Sequence, residues 1–241
     1  MGDVLGGWPL TTGLVFLCFV ADWLAVGFHL EKVKPFTKAL AMFSVIIWTV
    51  VAVQLQLGGW IVLVLFGQLF GLVGDVFLLL PNRFFIWGLI SFLVGHCYYL
   101  SAMGVNILDQ SLFHALHPGR SVYLVIMAFI LGGFIVLFYS VLRPAINDRL
   151  SNKILQLATG FYSWLLILMA GVSLFTALQF PDFSWHYLFL PLGGFLFLAS
   201  DSLLVYERFV NRVYRRRLWV RIMYHLAQFS IALGFLVIMS V

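Results

Sequence analysis

Long apolar runs alternate with short polar breaks along the whole chain. Apolar stretches cover roughly 8–29, 37–56, 60–80, 84–104, 121–142, 154–178, 186–206 and 219–240. A helix that crosses the hydrocarbon core of a bilayer needs about 20 mostly apolar residues, and each stretch meets that length. The breaks carry residues that end helices, among them Gly58-Gly59, Pro81-Asn82, His117-Pro118-Gly119, Pro144 and Pro181-Asp182. The pattern predicts an all-α integral membrane protein with eight transmembrane helices in a single domain. Segments two and three, close in sequence, also admit reading as one broken unit.

Charge gives the pattern a direction. Lys32, Lys34 and Lys38 fall in the first loop, Arg83 in the third, and Arg143, Arg149 and Lys153 in the fifth. Arg208, Arg212, Arg215, Arg216, Arg217 and Arg221 fall in or beside the seventh, so 13 of the 14 Lys and Arg residues share one side and Arg120 stands on the other. By the positive-inside rule the odd loops are cytoplasmic and both termini lie outside. Trp60, Trp185 and Trp219 near span ends fit an aromatic belt.

Composition agrees. Hydrophobic residues make up 63% of the 241 and charged residues 10%, with mean hydropathy +1.06. A soluble domain carries about a quarter charged residues, so lipid must solvate most of this surface. The pI of about 9.4 arises from loop residues and reads as topology rather than nucleic-acid binding, so no nucleic-acid partner is expected. The basic segment from Arg208 to Arg221 reads as a topology signal that meets anionic headgroups. Cys18 and Cys97 lie in apolar runs without a CxxC spacing, so neither a disulfide framework nor a zinc knuckle is expected. The first run follows Met1-Gly2-Asp3 without a basic n-region or cleavage site and reads as a retained helix. The short termini lean towards a bacterial inner membrane, or the endoplasmic reticulum if the source is eukaryotic.

The halves of the chain resemble each other. Residues 71–80 (Gly-Leu-Val-Gly-Asp-Val-Phe-Leu-Leu-Leu) end helix three, and 197–206 (Phe-Leu-Ala-Ser-Asp-Ser-Leu-Leu-Val-Tyr) end helix seven. Both helices run the same way, so parallel four-helix repeats over 1–104 and 121–241 would follow.

Ionisable residues inside spans are costly and tend to be functional. Asp22, Asp75 and Asp201 are of this kind. At a rise of 1.5 Å per residue, Asp75 lies roughly 22 Å into helix three, and Asp201 reaches a similar depth in helix seven. Both fall in the cytoplasmic third of the membrane. Asp22, with Lys32 and Lys34 close downstream, reads rather as a structural acid paired near the interface. Gly67, Gly71 and Asp75 share one helix face, as do Gly194, Phe197 and Asp201, so each small-residue stripe ends in a carboxylate. His96 and Tyr99 project together from helix four, and Tyr224 and Gln228 from helix eight. His96 and Tyr162 also admit ordinary structural roles. His29, His114, His117 and His186 show no metal-ligand spacing, His225 faces away from the Gln228 stripe, and no HExxH, GxSxG or Walker pattern occurs.

These polar positions, in this order, resemble the lysoplasmalogenase (YhhN-like) family of eight-helix membrane proteins. Lys34-Pro35-Phe36-Thr37 resembles the Lys-Pro opening of the family's helix two, and Gly74-Asp75 followed by Leu78 its Gly-Asp motif. Phe92, Gly95-His96 and Tyr99 match the Gly-His-x-x-Tyr helix, and Tyr162 with Met169 the Tyr/Met helix. Phe197, Ser200-Asp201 and Phe209 match the Ser-Asp motif. Tyr224, Ala227-Gln228 and Gly234 match the last helix. One departure is that Thr159-Gly160-Phe161 precedes Tyr162 where the family often has a proline. The resemblance implies an enzyme that cleaves the vinyl-ether bond of lysoplasmalogens. Its products would be a fatty aldehyde and glycerophosphocholine or glycerophosphoethanolamine.

Vinyl ethers hydrolyse by protonation at carbon, which leaves an oxocarbenium-like cation for water to attack. The chemistry needs a proton donor and an anion, roles that two carboxylates in a low-dielectric site can divide. The expected catalytic pair is Asp75 and Asp201, with the donor undecided and no metal or cofactor required. His96, Tyr99, Tyr162, Tyr224 and Gln228 would bind water and the glycerol oxygens, and Lys34 the phosphate of the lysophospholipid. The chain of the substrate would lie among Phe-rich walls open to the inner leaflet. Rival readings are a proton-coupled transporter using the same acids, a zinc-dependent intramembrane lipid hydrolase with converging His ligands, and a non-catalytic lipid-binding protein. Only His96 counts in the sequence as a histidine well inside a span.

Overall fold

The computed structural model describes residues 9–53, 59–109, 121–144, 153–178, 184–211 and 214–239. Gly58, His114, the His117-Pro118-Gly119 and Pro181-Asp182 breaks, Arg120, Arg149 and Arg212 lie outside the described residues. Among the described residues eight α-helices follow one another: α1 Pro9–Gly27, α2 Lys34–Ala52, α3 Trp60–Leu79, α4 Phe85–Asp109, α5 Ser121–Leu137, α6 Lys153–Leu178, α7 Phe189–Phe209 and α8 Arg216–Met239. No strand occurs among the described residues. Seven of the helices are long and apolar enough to cross a membrane, and α5 is the shorter one. The protein is thus an all-helical integral membrane protein. Its outward faces fit that solvent, since Leu14, Leu17, Phe43, Ile47, Leu168 and Leu192 are all exposed.

Element bounds correct the sequence reading in places that matter for the site. Helix α2 starts at Lys34, three residues before the apolar run, because Pro35 occupies its first turn, where a missing N–H leaves no bond unmade. Lys34 and Lys38 are therefore helical residues rather than loop residues. Likewise α8 starts at Arg216, which puts Arg217 and Arg221 on a helix face instead of in a loop. Segments two and three are distinct helices packed against each other, not one broken unit. A 3-10 turn over Trp185–Leu188 delays α7 to Phe189. Helix α5 runs into a π turn over Phe138–Leu142, and α6 continues unbroken through Thr159-Gly160-Phe161.

Helix α8 is the hub. It packs along α7 and also touches α1, α2 and α3, while α4 joins the two halves by lying against both α3 and α6. The α7–α8 seam is backbone-close. A Cβ added to Gly234 would fall 2.5 Å from the Leu190 nitrogen and 2.6 Å from its Cα. Between helices in lipid there is no aqueous hydrophobic drive, so such close van der Waals approach is what holds the seam. Gly234→Ala is therefore expected to lower stability by about 1–3 kcal/mol through overpacking against main chain. Unfolding of the purified protein in detergent measures this, and unchanged stability would show that the seam tolerates a methyl group.

Candidate active site

Burying a charge without a partner is prohibitive in a helix bundle, so the buried acids of this bundle need partners. A cavity of about 550 Å³ opens at the end of the bundle where α2 and α8 begin and α3 and α7 finish. Asp75 and Asp201 both line it, as do Lys34 and Tyr224. Its polar rim carries Lys38, Arg217 and Arg221, and Phe77, Phe85 and Phe92 form part of its wall.

The two acids have different partners. Asp75 is buried, and the Lys38 ammonium stands 2.8 Å from its Oδ1. Asp75 Oδ2 is also buried and has no hydrogen-bond partner among the described residues. Asp201 instead accepts a hydrogen bond from the Tyr162 hydroxyl at Oδ2. The ring nitrogen Nε2 of His96 lies 3.3 Å from the Tyr162 oxygen and 4.0 Å from Asp201 Oδ2. A phenol has one proton, and here Tyr162 gives it to Asp201. His96 therefore carries its hydrogen on Nε2 and presents a bare Nδ1. That Nδ1 is buried and unpartnered among the described residues. Phe197 packs edge-on against the His96 ring at 4.4 Å. Next to Asp201, Ser200 donates to the Val220 carbonyl at 3.1 Å and ties α7 to α8 at this level.

A second polar layer lies deeper along α8. Tyr99 donates to Gln228 Oε1 at 2.5 Å, and Gln228 Nε2 is left buried without a partner among the described residues. Gly71 makes room for this layer. A Cβ there would come within 2.9 Å of Gln228 Nε2 and 3.2 Å of the Tyr224 hydroxyl. At the opening, Lys34 is buried and pairs with Glu31 at 2.5 Å. The Lys34 ammonium holds the exposed Glu31 carboxyl below the usual carboxylate range.

Two narrow apolar crevices reach the Asp201–Tyr162 pair from other directions. One passes Phe134, Phe138, Leu166 and Leu198; the other passes Leu78, Phe85, Leu89 and Phe92. The first borders the π turn of α5, a helical irregularity that often marks functional sites.

Of the residues singled out in the sequence, Lys34, Asp75, Asp201 and Tyr224 meet at the cavity. Tyr162 and His96 back Asp201, and Tyr99 and Gln228 form the inner layer. Asp22 is paired with a basic residue, as expected, and that residue is Arg221. Its partners are Arg221 and Thr37 at Oδ1, not Lys32 or Lys34. His225 is fully buried against it, with Nε2 3.9 Å from Asp22 Oδ2, so His96 is not the single deep histidine. Among the described residues no three His, Cys, Asp or Glu side chains gather as metal ligands would. Sequence reasoning missed Lys38 and Arg221 as site residues. Spacing carried the signal: Lys34 and Lys38 are four apart, and Arg217, Arg221, Tyr224 and Gln228 form one stripe at steps of four, three and four.

Fold and site together define a class: a polytopic helical membrane protein with a buried acid-lined cavity open at one end of the bundle. The chain belongs to the YhhN family, whose sequence profile matches residues 33–235. It is 30% identical over 171 residues to the Homo sapiens protein named Lysoplasmalogenase TMEM86A, and 29% identical over 171 residues to the Bos taurus protein of the same name. Each alignment covers 70% of this chain and 62% of the relative, so the match spans less than two thirds of the relatives' own length. No solved structure gives a significant match.

The Lys38–Asp75 pair yields a direct test. Lys38→Met leaves a buried carboxylate uncompensated and is expected to cost about 3–5 kcal/mol of stability. Adding Asp75→Asn to the same protein removes the orphaned charge and should recover much of that loss. A double variant no more stable than Lys38→Met alone would mean that the two groups are not coupled.

Proposed function

We propose that this protein is a lysoplasmalogenase. In this reading it hydrolyses the vinyl-ether bond of a lysoplasmalogen to a fatty aldehyde and a glycerophospho-alcohol, with Asp75 and Asp201 as its acid–base pair. The observation that carries the proposal is the placement of both carboxylates in one cavity with unlike partners. Membership of the YhhN family and the names of the human and bovine relatives support the substrate class. The cavity volume falls in the range of small-molecule sites.

The unlike partners divide the roles. An ammonium at 2.8 Å favours Asp75 as the anion. Asp201 is partnered by a phenol and is the group that carries the proton, on Oδ1, since Tyr162 occupies Oδ2. Asp201 gives this proton to the alkene carbon farther from the ether oxygen, and positive charge develops at the carbon bonded to oxygen. Asp75 stabilises that cation and takes a proton from the attacking water, which leaves a hemiacetal. The carbon–oxygen bond to glycerol then breaks. Asp75 protonates the departing glycerol oxygen, and the hemiacetal hydroxyl returns its proton to Asp201. Both groups end as they began. Tyr224 holds water and the glycerol oxygens at the cavity, with His96 and Tyr162 behind Asp201 and Tyr99 and Gln228 in the layer beneath. Lys34 faces the headgroup, and the alkenyl chain lies along the wall formed by Phe77, Phe85 and Phe92.

The topology that suits this reading has eight spans, with the cationic opening in the cytoplasm and both termini outside. Helix α5 has 17 residues and is continued by the five-residue π turn, which together approach the length of a span. Equivalent acids on α3 and α7 suit a pair of parallel four-helix repeats. A transporter built on the same acids requires a route to both faces, whereas this cavity is lined from one end of the bundle.

Aldehyde release from purified protein tests the proposal, with lysoplasmalogen offered beside an ordinary acyl lysophospholipid. Asp75→Asn and Asp201→Asn, made separately, are each expected to lower the rate by about 10²–10⁴-fold. Wild-type rates in both variants would sink the assignment. Protonation at carbon makes a further demand: in D2O the fresh aldehyde carries one deuterium on the carbon next to the carbonyl. Aldehyde free of deuterium there would overturn the mechanism.

A further inference from the structure

Arg221 lines the cavity and has no part in the proton chemistry described above, yet three helices hold it in place. Its Nη1 donates to Asp22 Oδ1 on α1 and, at 3.4 Å, to the Lys34 carbonyl on α2. Thr37 donates to the same Asp22 oxygen at 2.7 Å. Asp22 is completely buried. Behind it, Trp23 donates to His225 Nδ1 at 3.2 Å, which leaves the His225 hydrogen on Nε2, the nitrogen 3.9 Å from Asp22 Oδ2. This is far more support than a charge at a span end needs for topology.

The support fixes a direction. Every hydrogen bond of Arg221 described above leaves from Nη1, whereas a guanidinium has five N–H donors in a planar fork. The planar fork can offer Nε and Nη2 as two parallel donors, and donors of this kind match the oxygens of a phosphate. Arg217, one turn nearer the opening, lines the same cavity, as does Lys34. Towards the interior, Tyr224 is one turn away, about 4.5 Å along the axis. That interval suits the three-carbon glycerol backbone between a phosphate and an ether bond held between the two acids.

We infer that Arg221, oriented by the buried Asp22, anchors the phosphodiester of the lysophospholipid and makes the site select phosphorylated over neutral glycerol ethers. Asp22 is then a positioning residue rather than a third catalytic acid. The inference rests on the lysophospholipid reading of the site, but binding can test it without turnover.

The probes are a saturated 1-O-alkyl lysoglycerophosphocholine, which has no vinyl bond to cleave, and the corresponding neutral 1-O-alkylglycerol. Their affinities are measured on the full-length protein in detergent. The wild type is expected to prefer the phosphorylated probe by about tenfold or more. Arg221→Gln brings the two affinities to parity, and Arg221→Lys recovers part of the preference. Arg221→Gln also leaves Asp22 unpaired, so the double variant Asp22→Asn/Arg221→Gln removes both charges together. Parity in the double variant supports the anchor. A wild-type preference in either Gln variant overturns it. Inorganic phosphate should not compete with the phosphorylated probe at equal concentration, and equal competition would replace the lipid by a free anion. If the wild type releases no aldehyde from lysoplasmalogen while keeping the preference, the hydrolase reading falls and the anchor stands.

Discussion

The contact between Lys38 and Asp75 is the constraint on which the rest of the site depends. A carboxylate surrounded by helices and lipid has no water to solvate it, and an isolated ion there carries a penalty of several kcal/mol. Lys38 meets that need at 2.8 Å, but only because α2 begins at Lys34 and turns Lys38 inward from its second turn. The pair therefore fixes the rotation of α2 against α3. It also removes the symmetry between the two acids. Asp201 faces a phenol and an imidazole rather than an ammonium, and the division of labour proposed for the reaction follows from that difference.

The geometry of α8 turns this local constraint into a site. The helix touches α1, α2, α3 and α7, so a single polar stripe on it can serve several partners. Arg221 reaches Asp22 on α1, Tyr224 faces the cavity beside Asp75, and Gln228 accepts from Tyr99 on α4. The close approaches at Gly234 and Gly71 are what let the helix sit so near its neighbours. Several buried atoms on this surface, Asp75 Oδ2, His96 Nδ1 and Gln228 Nε2, lack partners among the described residues. Buried polar groups are rarely left unpaired, and in the proposed reading water and substrate oxygens would meet them.

Much of this was legible in the sequence, for a physical reason. The bilayer imposes a length on every span, and the rarity of charge in apolar helices makes Asp75 and Asp201 conspicuous. The fold class and the two acids could be read on those grounds, whereas Lys34 and Tyr224 were expected at the site from the resemblance to the lysoplasmalogenase family. Lys38 and Arg221 could not be placed by the same reasoning. Cations near span ends are explained by topology, and that explanation hid their second role. Helix bounds decided the matter, because Pro35 starts α2 early and Arg216 starts α8 early. Once those residues are helical, their spacing aligns them with the acids and with Tyr224. The partner of Asp22 was hidden for a related reason. Its neighbours in sequence were Lys32 and Lys34, but its partner comes from the far end of the chain, and no local pattern announces a contact between residues 199 positions apart.

The shape of the site argues for where a scissile bond would lie. A charged cavity and two apolar crevices, different in character, converge on Asp201. In the proposed reading an amphiphile puts its charged group near Arg217 and Arg221 and its chain along the Phe77, Phe85 and Phe92 wall. The junction of its polar and apolar parts then falls beside the two acids. In a lysoplasmalogen the vinyl ether is that junction, since it links the glycerol backbone to the hydrocarbon chain. An ordinary acyl lysophospholipid would fit the same space but present an ester, whose cleavage calls for a nucleophile and donors aimed at an oxyanion. Protonation of a carbon, by contrast, calls for an acid in apolar surroundings with an anion close by. Asp201 beside apolar crevices, with Asp75 held by Lys38 at the same cavity, is the arrangement on which the proposed reaction rests.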